Sequence, residues 1–222
     1  MRAKIGTSYF ADDQRMEVLD ATFAGRYLTA FRQWRAGDPA ISACWQVPFT
    51  AVAGPRLILL QNLLAGMNAH INYDLGIATA QVAGTLAGLD SLHGDFDKIN
   101  DLLGCLVPTV FAELGELSPL IHLVEEVGEA DEEKLVDVAM DGARDFAWLL
   151  ANELVILRYL PDLRQRLLSL KDREAARLGK KVVAPGGTLE KIVHVVWIPE
   201  SKNVRRNVEA LAAPAMLPAS CG

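Results

Sequence analysis

Between residues 57 and 89 the chain runs for thirty-three residues with one formal charge, Asp74. A segment that apolar has to be covered on nearly every side. It is not built to span a bilayer, because Gln61, Asn62, Asn68, His70, Asn72 and Asp74 interrupt it, and no clean run of about twenty apolar residues is left. It predicts the central helix, or two collinear helices, of a bundle, in which glycines 66, 76, 84 and 88 allow close neighbours or a kink.

The flanking sequence reads as helix almost throughout. From residue 12 to 34, Met16, Leu19, Phe23, Tyr27 and Phe31 recur at helical spacing, until Gly37, Asp38 and Pro39 break the pattern. A short helix over 41–52 carries Pro48. Ser91 or Asp90 is placed to cap a helix containing Phe96, Ile99, Leu103 and Leu106, bent near Pro108. Helices are expected over 118–127, 131–160, 163–178 and 203–212. Residues 192–198, IVHVVWI, suit a strand by β-branched content or a short helix. The fold class is therefore all-α, a single-domain bundle of about seven to nine helices around a buried central helix. An arm over 1–9, a domain over 10–212 and a flexible tail over 213–222 complete the organisation.

The net charge of −6 argues against nucleic acid as a partner. Residues 161–206 run the other way, with eleven Lys/Arg against five Asp/Glu, which suits either a solvated helix face or an anion site. Three cysteines without CxxC spacing point to packed thiols (Cys44, Cys105) in a reducing cytoplasm rather than a disulfide framework. The first fifteen residues lack the apolar core of a signal peptide. His122 and His194 sit in apolar patterns that predict packing.

Chemistry gathers in GMNAHINYDLGIA, residues 66–78. His70 and Asp74 are four apart, so a helix brings them to one face. A buried carboxylate needs a partner, and that partner can be the imidazole, an arginine or a metal ion. Three readings stay open on the spacing: a structural polar network, an acid/base dyad without metal, and a single divalent ion held by His70, Asp74 and ligands such as Asp95. His93, Asp95 and Asn100 form a second cluster, at a helix start or at a pocket mouth. Arg144 and Trp148, also i, i+4, form a third. Arg144 is a candidate cation for Asp74 or for a substrate anion. Tyr27 lies on the apolar face with Arg26 beside it. No Walker, Rossmann, GxSxG or HExxH motif is present, and the paired ExxH of di-iron bundles is absent.

AGMNAHINYDL, HGDFDKINDLL and ARDFAWLLANE, with TFAGRYL and SACW upstream, resemble domain of unknown function 5995, a mostly actinobacterial helical family, over about residues 10–170. The resemblance implies that His70, Asn72, Asp74, His93, Asp95, Asn100, Arg144 and Trp148 occupy the family's motif positions. Tyr73 departs from a histidine often found there, and Gly76 from a proline. A more distant similarity is to the helical zinc-dependent phospholipase C group, which also uses a helix-borne H-x-x-x-D pair. Its full trinuclear site needs more histidines than the four in this chain.

The expectation is a small-molecule enzyme acting on a hydrophobic polyketide-, terpenoid- or acyl-like intermediate by hydrolysis, cyclisation or isomerisation. His70, Asp74, His93 and Arg144 would be catalytic, and Asn72, Tyr73, Asn100, Trp148 and Tyr27 would bind substrate. One divalent metal ion is an optional cofactor and a homodimer an optional assembly. The alternative is a non-catalytic ligand-binding or accessory protein.

Overall fold

A computed structural model describes residues 4–52, 54, 57–124 and 135–212. Among them lie nine α-helices and no strand: α1 (Asp13–Ala36), α2 (Ala43–Val52), α3 (Leu59–Ala69), α4 (Gly76–Ala83), α5 (Leu86–Leu117), α6 (Leu135–Ile156), α7 (Pro161–Val183), α8 (Gly187–Trp197) and α9 (Val204–Ala212). Together they form a single-domain all-α bundle. A π-helical turn, His70–Leu75, joins α3 to α4 without breaking the rod.

The rod α3–π–α4 is the near-uncharged segment, and it is central as its composition requires. It packs against α1, α2, α5, α6 and α7. At the α3 end, Leu60, Leu64 and Ala65 bury against Leu114, Val182, Val193 and Val196. At the α4 end, Ile77 and Ala80 meet Leu89, Leu150, Ala151 and Leu154. Gly76 is what lets α6 come this close. A Cβ there would stand 2.6 Å from the Ala147 carbonyl oxygen and 2.9 Å from Leu150 Cβ.

The rod ends earlier than its composition suggests. Gly84 adopts the left-handed conformation, φ 66°, and closes α4. The Thr85 hydroxyl then accepts from the Gly88 amide at 3.0 Å and caps α5. Thr85, not Asp90 or Ser91, is thus the cap, and α5 starts at Leu86. Residues 192–197 resolve as helix, because Val193 and Val196 share the face that α8 presents to the α3 core. Tertiary burial there overrides the β-branched propensity. Pro161 stands at the first position of α7, where its missing N–H costs nothing.

Other expectations need correction. His122 and His194 are exposed rather than packed. Cys44 is a buried free thiol, but Cys105 is disulfide-bonded, which removes the cysteine argument for a reducing compartment. The tail over 213–222 and the helix start near residue 131 lie outside the described residues. Among the described residues no helix is long and apolar enough to cross a membrane.

Candidate functional site

Asp74 is 1% exposed and sits in the π turn. Its carboxylate would be costly there without donors, and three supply them. Arg26 Nε of α1 donates to Oδ1 at 2.7 Å. Trp45 Nε1 of α2 donates to Oδ2 at 2.8 Å. His70 Nδ1 lies 3.3 Å from the same Oδ2. Local sequence supplies only the last of these. The π turn adds a residue to the helical circuit and still keeps His70 and Asp74 on one face; such insertions are frequent at functional sites.

Each partner is aimed by its own helix. Met16, Leu19 and Ala30 of α1 are buried, and Arg26 falls on the same stripe, where an apolar residue would be expected. Trp45 is positioned by α2, whose N-terminus is held from α7: Asp172 accepts from the Ala43 and Cys44 amides, each at 2.8 Å. Burial pushes the Cys44 thiol well up, which leaves it a packing group rather than a nucleophile. The π turn is tied to α7 through a relay. Asn72 Nδ2 donates to Asn68 Oδ1 at 2.9 Å, and Asn68 Nδ2 donates to the Ala175 carbonyl at 2.8 Å.

Aromatic rings surround the imidazole. Phe23 stacks on His70 with centroids 3.6 Å apart and planes at 7°. Trp45 and Tyr27 follow at 5.7 and 6.2 Å. Tyr27 is 39% exposed, so it edges this cluster instead of entering the core as its spacing predicted. A cleft of about 510 Å³ opens on the Arg26 side of the carboxylate, lined by residues that include Arg26, Trp45, Tyr73 and Asp74, and not by His70. That volume is within the range of small-molecule sites. Burial also pushes the Tyr73 phenol well above its ordinary value, so it stays a protonated donor.

The other candidates are placed elsewhere. His93 is exposed on α5, stacks on Trp148 of α6 at 4.3 Å and lies 3.7 Å from Asp97. Trp148 also meets Phe96 at 4.9 Å. Arg144 is half-buried on α6, and the guanidinium bonded to Asp74 is that of Arg26. The Asn100 side chain lies outside the described residues. Asp95 is buried, but its oxygens accept from the Ala11 and Asp12 amides at 2.7 and 2.9 Å and from Lys98 at 3.2 Å. Burial alone would raise its pKa; the two backbone donors and the Lys98 ammonium outweigh that and hold it below the usual carboxylate range. Asp95 is thus a clamp on the start of α1 and does not join His70 and Asp74.

Among the described residues no three His, Cys, Asp or Glu side chains gather as a metal-binding group. The donor set at Asp74 does not fit a cation either. A metal ion would have to displace N–H donors, one of them a guanidinium. Arg26, noted beside Tyr27, and Trp45, within the SACW segment, are not among the residues that the sequence assigns to the site. The signals that point to them are an arginine on a buried stripe and a buried indole, whose N–H needs an acceptor. No curated protein and no solved structure matches the chain. A family model does match, over residues 1–185, and the chain therefore belongs to the Family of unknown function (DUF5995).

Proposed function

We propose that the protein is a small-molecule enzyme in which His70 acts as general acid and base on a largely apolar substrate, without a metal ion. The observation that carries this reading is the orientation of the imidazole. Its Nδ1 is committed to a buried carboxylate, which selects the tautomer with Nδ1 protonated and Nε2 bare. The ring is a quarter exposed and faced by aromatic side chains. A fixed base in a water-poor aromatic setting suits proton transfer next to a carbonyl, the step shared by cyclisation and isomerisation of polyketide- or acyl-like compounds. Asp74 orients the ring and balances the imidazolium that forms. Phe23 and Tyr27 wall the substrate, and Asn72 positions the π turn. His93 and Arg144 take no chemical step in this reading.

A second reading has two observations in its favour. Both Asp74 oxygens are hydrogen-bonded within the protein, as in a purely structural network, and His70 does not line the cleft. One experiment separates the two. Exchange of α-protons in a panel of aromatic and aliphatic ketones is followed in D2O, with nitrogen-15 NMR of the histidines in parallel. Acceleration by the wild-type protein, abolished in a folded His70→Gln variant, with Nε2 unprotonated in the free protein, supports catalysis. No acceleration for any ketone, or an Nε2 that carries the proton, assigns the cluster to structure.

A further inference from the structure

Arg26 spends only one edge on Asp74. Its Nε makes the 2.7 Å bond, and among the described residues neither Nη atom has a hydrogen-bond partner. The guanidinium lies over Tyr73, Cζ 5.8 Å from the ring centroid, with its side chain 26% exposed. Arg26 lines the 510 Å³ cleft, where it and Asp74 are the only charged residues among the described lining. Each Asp74 oxygen already accepts at least one donor, so the charge that remains without a hydrogen-bond partner at this pair is the outer edge of the guanidinium. The Tyr73 hydroxyl has no partner among the described residues either, and Thr22 and Ser42 add hydroxyls to the same lining. Asp172, an acid near Tyr73, has both its oxygens engaged by the Ala43 and Cys44 amides of α2.

We infer that this cleft is a binding site for a small molecule bearing a carboxylate or phosphate, its oxygens taken by the two Nη groups of Arg26 with the Tyr73 hydroxyl beside them. A guanidinium edge matches two oxygens of such a group in a parallel pair of bonds, and the backing carboxylate on the Nε edge fixes its plane. The inference shares Asp74 with the acid/base reading but does not depend on His70. Gly25 offers a handle. It lies in the interior of α1 and lines the cleft, and a Cβ there would meet nothing within 4 Å. A side chain at 25 therefore starts from open space on the cleft wall.

The test follows the Trp45 indole N–H resonance of the full chain at constant ionic strength, titrated with benzoate, with benzamide as its neutral analogue, and with inorganic phosphate. Saturable shifts with benzoate or phosphate and not with benzamide are expected, and the better of the two anions identifies which oxyanion fits. Gly25→Leu should weaken that binding at least about tenfold while the His70 tautomer and thermal stability are kept. Arg26→Lys should abolish it, and His70→Gln should leave it within about twofold. Silence from both anions, an equal response to benzamide, or undiminished binding by Gly25→Leu overturns the inference. Loss of ketone exchange in His70→Gln bears only on the acid/base reading.

Discussion

Two buried aspartates, Asp74 and Asp95, sit on inward helix faces and end up with different work. Asp95 is satisfied by the backbone amides of Ala11 and Asp12 and by Lys98, and so fastens the start of α1 to α5. Asp74 is satisfied by three side chains, from α1, α2 and its own turn, and stands beside a cleft. The cost of burial is met in both cases. What differs is whether the partners can move, titrate or turn a second edge to a ligand. Backbone amides cannot. An imidazole and a guanidinium can.

The largest effect expected from this comparison is at Asp74. Asp74→Ala leaves the Trp45 N–H buried without an acceptor and the Arg26 guanidinium without its counter-charge. Stability should fall by about 3 kcal/mol in urea denaturation, with loss of the fixed His70 tautomer. Retention of that tautomer in the variant would break the comparison. Asp95→Ala should cost somewhat less, about 2 kcal/mol, by stranding two amides. It should leave the Trp45 indole resonance and the His70 tautomer unchanged, and a shift in either would show that the two acids are coupled.

The same pair gives a pH test. Asp95 has its folded-state pKa lowered, so its contribution is fully present above the unfolded-state value and is lost as pH falls through the lowered folded value. The stability gap between wild type and Asp95→Asn should therefore be widest at neutral pH and close below about pH 4. A gap that widens on acidification would contradict the clamp. The smallest effect is at the remote face. His93→Ala removes an exposed ring from Trp148 and should cost under about 1 kcal/mol, with no change in ketone exchange. Loss of exchange in that variant would return His93 to the site.

Much of the architecture was legible because burial leaves a local mark. The run from 57 to 89, with Asp74 its one charge, foretold the central rod, and the stripe of Met16, Leu19 and Phe23 foretold α1. Errors fell where tertiary contacts outvote local preference. The valines of α8 are helical because two of them complete the α3 core. Gly84 and Thr85 set the true boundary between α4 and α5, while Asp90 and Ser91 only look like caps. Cys105 sits in an apolar pattern that suits a packed thiol, and spacing carries no record of its disulfide.

The sequence by itself determined the His70–Asp74 pair, since i and i+4 on a helix are neighbours whatever the rest of the chain does. It also pointed Asp74 into the interior, because nothing nearby is charged. Only the tertiary structure decided what neutralises Asp74. Arg26 and Trp45 lie forty-eight and twenty-nine residues away and reach it through the packing of α1 and α2 on the rod. The fate of Asp95, sent to a clamp, was settled in the same way. A residue's chemistry is written in its side chain. Which distant groups it meets depends on how helices dock, and no short spacing in the chain encodes that.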